Sequence, residues 1–341
     1  MRPENVTSAD WYQYNALFFA EHFLGHRTFQ RLLGRREKQL WQSVDRYAAS
    51  HVPSERFEII EHPDGATAQP LYHPYYPEVF RGAAREWPCA KKWTFDFFAE
   101  KFGDKEVTLT NNRGLVVKGQ NDLKKNGDDE AYDTIRLRDY IAELKAGSRK
   151  YLKFSQMIHE SSELQADFNT EWLMKFHRSR KLKKLFFLFI GGPSTNTPIH
   201  NAAPPTVFVQ IQGTKRWTFF PANDRLFLGV RPDRRSYYFT DANPDKTDDP
   251  DFPLLKHASG RELLLHAGDV VWFPAYCWHQ VENVTESIGV AYKWFHIQSA
   301  LRASRVLTSL FFCSTNPTLF QSAIMARIRK REYIFQKPQR Y

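Results

Sequence analysis

Residues 266–279 read His266-Ala-Gly-Asp-Val-Val-Trp-Phe-Pro-Ala-Tyr-Cys-Trp-His279, and this stretch is the clearest structural signal in the chain. The Gly-Asp pair predicts a turn, from which a short buried strand runs over 270–274, with His279 in the loop that follows. Similar aromatic and β-branched runs, separated by Gly, Pro, Asn and Asp, lie at 185–190, 206–212, 216–221, 262–265 and 288–294. This pattern predicts an antiparallel β-sandwich or barrel.

Helical periodicity flanks the β-rich region on both sides. Apolar residues recur at helical spacing over 8–50, where Gly25 and Gly34 predict breaks between helices, and again over 301–311. We therefore predict a mainly β protein in three parts: a helical segment at 1–50, a β-core at 51–295, and a helical, basic segment at 296–341.

The composition is typical of a folded protein and not of a disordered chain. Hydrophobic residues make up 42% of the 341 residues and aromatic residues 15%, which is enough for a sizeable core. The three cysteines are far apart and predict neither disulfides nor a zinc cluster. Residues 1–10 have no apolar stretch typical of a signal peptide, and no apolar run is long enough to cross a bilayer. We expect a cytoplasmic protein that does not enter membranes.

Two histidines have surroundings that suggest more than a structural role. His200 lies in the segment Asn196-Thr-Pro-Ile-His200, between two predicted strands, and His279 follows a third. A lone histidine is usually structural, but two histidines at strand ends of one barrel can line its mouth, where small ligands bind.

Several ordered motifs around these histidines resemble one enzyme family. They are Thr197-Pro-x-His200, Gln210, Gly213-x-Lys215-Arg-Trp217, Gly268-Asp ending at Pro274, and Trp278-His279. Together they resemble the JmjC / cupin-like hydroxylases, which depend on iron(II) and 2-oxoglutarate. The likeness extends over about residues 70–295. It implies a double-stranded β-helix (cupin) core with helical N- and C-terminal appendages.

The resemblance also implies roles for individual residues. In that family, two histidines and a carboxylate bind iron(II) on one face of an octahedron. By position, His200 and His279 would be the metal ligands, and Lys215 would pair with the distal carboxylate of 2-oxoglutarate. Thr197 would donate its hydroxyl to the same carboxylate, and Tyr292 would complete the cosubstrate site on the last core strand.

The sequence departs from the family at position 202, where Ala202 replaces the metal-binding carboxylate. Asn201 is a poor substitute, because adjacent side chains of an extended segment point to opposite faces. Three interpretations remain open. The favoured one is a halogenase, in which chloride takes the vacant position on iron. The second is an inactive binding protein, and the third is a hydroxylase whose further ligand is water or a remote carboxylate such as Asp224 or Asp233.

The sequence does not identify one substrate or one partner. A small molecule, a carrier-bound acyl group, a peptide and a nucleoside all remain candidate substrates. The apolar stripe between Leu301 and Phe311 suggests a homodimer through C-terminal helices, or packing on the chain's own barrel. The net charge of +10 is scattered, so a solvated basic surface is favoured over a nucleic-acid partner.

Overall fold

The computed structural model describes residues 2–54, 56–111, 132–177, 184–232 and 238–313. Its strands are β1 (Ile60–His62), β2 (Glu78–Phe80), β3 (Glu106–Asn111), β4 (Tyr132–Arg136), β5 (Lys150–Ser155), β6 (Lys184–Gly191), β7 (Asn196–Asn201), β8 (Thr206–Gln212), β9 (Lys215–Phe220), β10 (Tyr238–Phe239), β11 (Arg261–Leu265), β12 (Val270–Phe273), β13 (Trp278–Asn283) and β14 (Ser287–Trp294). Its α-helices are α1 (Ser8–Leu24), α2 (His26–Ser50), α3 (Pro88–Lys92), α4 (Phe95–Phe102), α5 (Leu137–Lys145), α6 (Ser162–Ala166), α7 (Thr170–Met174), α8 (Ile297–Ala303) and α9 (Arg305–Cys313).

The described strands form two sheets that face each other. One has the order β1-β2-β12-β8-β14-β6-β5-β3-β4, and the other has the order β10-β7-β13-β9-β11. Almost all pairings are antiparallel; the exception among these ladders is β1 with β2. The mainly β class and the double-stranded β-helix core predicted from the sequence are confirmed.

Side-chain alternation divides each strand between the barrel interior and an outer layer. On β8, Phe208 packs inside the barrel, whereas Val207 and Val209 belong to the outer core. On β9, Trp217 and Phe219 face the interior. The outer core of the larger sheet is covered by α3 to α7, whose buried apolar residues pack on it.

The chain's terminal helices cover the outer face of the smaller sheet. Residues from α1 and α2, such as Phe18 and Val44, share one hydrophobic cluster with Leu307 and Leu310 of α9. Ile199 of β7 and Trp278 of β13 belong to the same cluster, which we call the terminal core. The predicted stripe of α8 and α9 thus packs in part on its own barrel. A homodimer stays a prediction.

Most predicted elements are present, with corrections at Gly34 and at the two histidines. Gly25, at a φ of 76°, separates α1 from α2, but Gly34 lies inside α2 and does not break it. His279 lies within strand β13 and not in the loop predicted for it, and His200, predicted between two strands, lies within the paired strand β7. The sequence also predicts a strand at 114–117 and an exposed loop at 121–129, and both segments fall outside the described residues.

The packing of α9 leads to a direct stability test. Leu307→Ala should lower the free energy of unfolding by about 2–5 kcal/mol, because the side chain is fully buried in the terminal core. Leu301→Ala is the matched control, since Leu301 is 43% exposed; its effect should stay within about 0.5 kcal/mol. Denaturant unfolding of both variants measures the difference. Equal costs would mean that the exposed side of α8 is covered by a second chain.

Candidate functional site

The two histidines are direct neighbours across the β7–β13 pair. His200 and His279 stand opposite each other in the ladder, and their ring centroids are 4.1 Å apart. Both side chains are buried. The ring of Phe273 lies 4.6 Å from that of His279, so aromatic packing shields the pair from water.

Backbone carbonyl groups determine which nitrogen of each imidazole carries the proton. Nδ1 of His200 lies 2.8 Å from the carbonyl oxygen of Pro198, and Nδ1 of His279 lies 2.9 Å from that of Cys277. Because a carbonyl oxygen only accepts, each Nδ1 donates, and the lone pair of each ring is on Nε2. This is the arrangement that orients imidazoles for binding a metal through Nε2.

Both imidazoles are held in their neutral form. Burial lowers the pKa of His279 to about 3. Burial, together with the repulsion that a protonated His279 would add, holds the pKa of His200 well below its usual value. A metal binds only neutral imidazole, so the pair is already in the protonation state that metal binding needs.

Thr197 reaches the same interior through an irregularity in β7. It stands three positions before His200, which in a regular strand would place it on the opposite face. On β13, however, the opposing residues Val281 and His279 are only two apart, so β7 contains an extra residue at this point. The bulge turns Thr197 to the side of Val281, which packs inside the barrel.

Lys215 is fully buried at the other end of the barrel. Its Nζ donates to the hydroxyl of Tyr151 at 3.1 Å and to Oδ1 of Asn283. Asn283 lies four residues beyond His279 on β13, or about 13 Å along the strand. Burial lowers the pKa of the Lys215 amine to about 7, and none of its bonds with described residues is to a carboxylate.

Sequence reasoning missed two further lysines in the barrel. Lys153 of β5 is partly buried, and its Nζ donates to the carbonyl oxygen of Asn196 at 2.7 Å. Lys293 of β14 is only 9% exposed. Desolvation lowers the pKa of Lys153 to about 7 and that of Lys293 to about 8. The charge of each also lowers the pKa of His200.

Tyr292 is not brought together with the other predicted site residues, which corrects the prediction. Its side chain belongs to the outer core, and its hydroxyl bonds to Nε2 of His177. The neighbouring Lys293 faces the interior instead. The sequence carried a signal for this, since Ile288, Val290, Tyr292 and Trp294 form the apolar alternation of a strand face turned to a hydrophobic core.

Ala202 follows directly after β7, and its carbonyl oxygen accepts from the Tyr276 N–H at 2.9 Å. Asn201 is buried on the opposite side, with its amide directed to the Tyr276 carbonyl oxygen at 3.5 Å. Asp224 accepts from the backbone N–H of Ser259, and Asp233 lies outside the described residues. Within the described ranges, no third histidine, cysteine or acidic residue joins the pair to form a metal-binding group.

An open cavity exists elsewhere on the molecule. Its volume is about 750 Å³, and Gly65, Arg81, Arg85 and His266 are among its lining residues. Arg81 there is already paired with Asp269 and Glu61. None of the predicted site residues lines this cavity, so the chemistry we consider belongs to the barrel interior.

The fold and the site define the class of protein: a cupin barrel with two neutral imidazoles and a buried lysine inside it. Residues 65–300 match the cupin-like domain family, and the chain belongs to that family. No helix among the described residues is long and apolar enough to span a membrane.

Three relatives illustrate the range of proteins that the chain is similar to. It is 26% identical to human tRNA wybutosine-synthesizing protein 5 over 269 residues, covering 74% of this chain and 81% of the relative. It is 25% identical to mouse 2-oxoglutarate and iron-dependent oxygenase JMJD4 over 253 residues, 65% of this chain and 56% of the relative. It is also 30% identical to the zebrafish HSPB1-associated protein 1 homolog over 142 residues, 40% of this chain and only 32% of that relative.

Proposed function

We propose that the chain is an iron(II)- and 2-oxoglutarate-dependent enzyme of the oxygenase type. His200 and His279 would hold the metal, and Lys215 would bind the distal carboxylate of 2-oxoglutarate. The observation that carries the proposal is the pair of imidazoles, each with Nδ1–H tied to a backbone carbonyl, in the same barrel as a buried lysine that lacks a carboxylate among the described residues. The relative named as a 2-oxoglutarate and iron-dependent oxygenase supports the same class.

The residues present fit both groups. Imidazole nitrogen is a good ligand for iron(II), although two such ligands are too few for firm binding without added ones. When bound, iron(II) and 2-oxoglutarate together would supply activation of dioxygen for oxidation of a substrate C–H bond. The chain's own residues would do the rest. Lys215 would neutralise the distal carboxylate with the Thr197 hydroxyl beside it, and Phe273 would keep water from the histidines.

Chlorination is the finer form of this proposal, and its support is the side chain at position 202. A methyl group cannot bind a metal, so the coordination position that a carboxylate would take is open to an anion from solution. Chloride would restore the missing negative charge as well as the missing ligand. The relative named as an oxygenase supports the oxygenase class, and Ala202 alone favours the halide.

A second candidate is a binding protein that uses the barrel without iron. It is favoured by the two-ligand site, because loss of one ligand weakens metal binding. Lys215 would then bind an anionic ligand by charge alone. Metal affinity separates the two candidates.

Titration calorimetry with iron(II) under anaerobic conditions, or with manganese(II), provides the test. We expect binding that is tightest when 2-oxoglutarate and chloride are both present, because each adds ligands that the two histidines lack. His200→Ala should abolish it, whereas His51→Ala, at an exposed position at the end of α2, should leave it unchanged. No metal binding in any of these conditions would favour the binding protein.

A further inference from the structure

Lys293 is a buried amine at the histidine end of the barrel, and the proposed chemistry does not use it. Its Nζ lies 5.7 Å from the ring centroid of Phe154 and 5.9 Å from that of Phe187. Both rings pack against the interior core. Among the described residues, Nζ has no hydrogen-bond acceptor and no carboxylate partner, although the side chain is only 9% exposed. A buried ammonium without a counter-ion is costly, which points to a ligand that supplies one.

The strand register places Lys293 at the same end as Ala202. Lys293 pairs with Thr206 across β14 and β8. Thr206 is the first residue of β8, directly after the short connection at 202–205 that begins with Ala202. The charge of Lys293 also lowers the pKa of both His200 and His279, so the amine is within electrostatic range of the pair.

The charge balance of the barrel favours a further anion. Three lysine amines lie in it, and no bond or ion pair joins any of them to a carboxylate of the described residues. Lys293, with a pKa of about 8, is mostly charged at neutral pH, and the other two amines are partly charged. A divalent metal would add two positive charges. 2-Oxoglutarate would supply only two negative charges, and one of them, on the distal carboxylate, would be paired with Lys215 at the far end of the barrel. Positive charge in excess would therefore remain at the histidine end.

We propose that Lys293 binds a small monovalent anion beside the two histidines, on the side left open by Ala202. Two kinds of ligand have the single negative charge that this site would bind: a halide ion, and a carboxylate group such as one carried by the substrate. The inference deepens the proposed function, since this anion would be the one that completes the metal's surroundings. The anion site itself is a property of the metal-free barrel and can be measured there.

The direct experiment is crystallography of the metal-free protein soaked in bromide, together with thermal unfolding in bromide, chloride or formate. We expect anomalous density for bromide in contact with Nζ of Lys293, and a rise in Tm with each ion that fits. Lys293→Met should weaken this protection by about tenfold or more, because the charge is lost while the length of the side chain is kept. Lys91→Met, at an exposed lysine, is the control for general salt effects.

The outcomes separate the anion site from the proposed function. Bromide at Lys293 supports the inference and points to a halide, and protection by formate alone supports it and points to a substrate carboxylate. Absence of bromide at Nζ, with equal protection of the parent and Lys293→Met, overturns it even if iron(II) and 2-oxoglutarate bind. If bromide occupies the site but iron(II) never binds, the anion site stands and the oxygenase proposal fails.

Discussion

Ala202→Asp is expected to tighten iron(II) binding by more than about tenfold and to remove its dependence on chloride. Changes to groups that only orient metal ligands already alter affinity about 10–100-fold, so adding a direct ligand should have at least that effect. The geometry allows it, because residue 202 is two positions after His200 and an extended chain directs both to one face. The charge-transfer band of the anaerobic iron(II)–2-oxoglutarate complex should shift with chloride in the parent and not in the variant.

Ala202→Asn is the matched control for this experiment. It adds nearly the same volume without the negative charge, so it should leave metal affinity well below that of the aspartate variant. A parent spectrum indifferent to chloride, in a protein that binds both iron(II) and 2-oxoglutarate, would remove the halide from the proposal. An oxygenase with a two-histidine centre would then be the remaining form of it.

Lys215→Met should have two opposite effects. The loss of the ammonium group should weaken 2-oxoglutarate binding by more than about tenfold, since truncating one partner of a buried charge pair costs on the order of 2–5 kcal/mol. The ligand-free protein should nevertheless become more stable. In the fold, burial lowers the pKa of Lys215 to about 7, below its unfolded value, so near neutral pH the charged amine disfavours the folded state. Calorimetry and thermal unfolding of one preparation measure both effects.

Tyr292→Phe is the control for the cosubstrate site. Its hydroxyl contacts His177 on the outer side of β14, so its loss should leave 2-oxoglutarate affinity unchanged. Equal weakening by Tyr292→Phe and Lys215→Met would mean that the cosubstrate binds outside the barrel interior. A Lys215→Met protein that is less stable when ligand-free would show that Tyr151 and Asn283 fully compensate the buried charge.

Strands rich in β-branched and aromatic residues could be predicted from the sequence. Strands without such a composition could not. Runs such as 206–212 are rich in β-branched and aromatic residues, because β8 is buried on both faces. β7 contains Pro198 and two asparagines, and it pairs around a bulge, so no regular alternation marks it. His279 was assigned to a loop because Pro274 ends the preceding run. β13 forms by pairing with β7 and β9, and both of these strands are far from it in the sequence.

Motifs in the sequence predicted part of the candidate site. Residues that only the direction of their side chains brings into the barrel were not predicted. The ordered motifs predicted His200, His279, Thr197 and Lys215 as site residues; the structure places all four in one barrel, and their roles stay predictions. Lys153 and Lys293 stand alone in the sequence, without a motif around them. Their common direction follows from the pairing of β5 and β14 with β6, a relationship that the linear sequence does not display.

The terminal core has a consequence for how the protein is made. Val6 and Leu310 belong to one cluster although they stand about 300 residues apart, so this core combines contacts of very high sequence separation. It cannot close on the ribosome until α9 has emerged, while the barrel strands are synthesised earlier. Trp278, next to His279, packs into that late-forming core. The histidine pair should therefore reach its final geometry only after α9 has been synthesised and has packed into the terminal core.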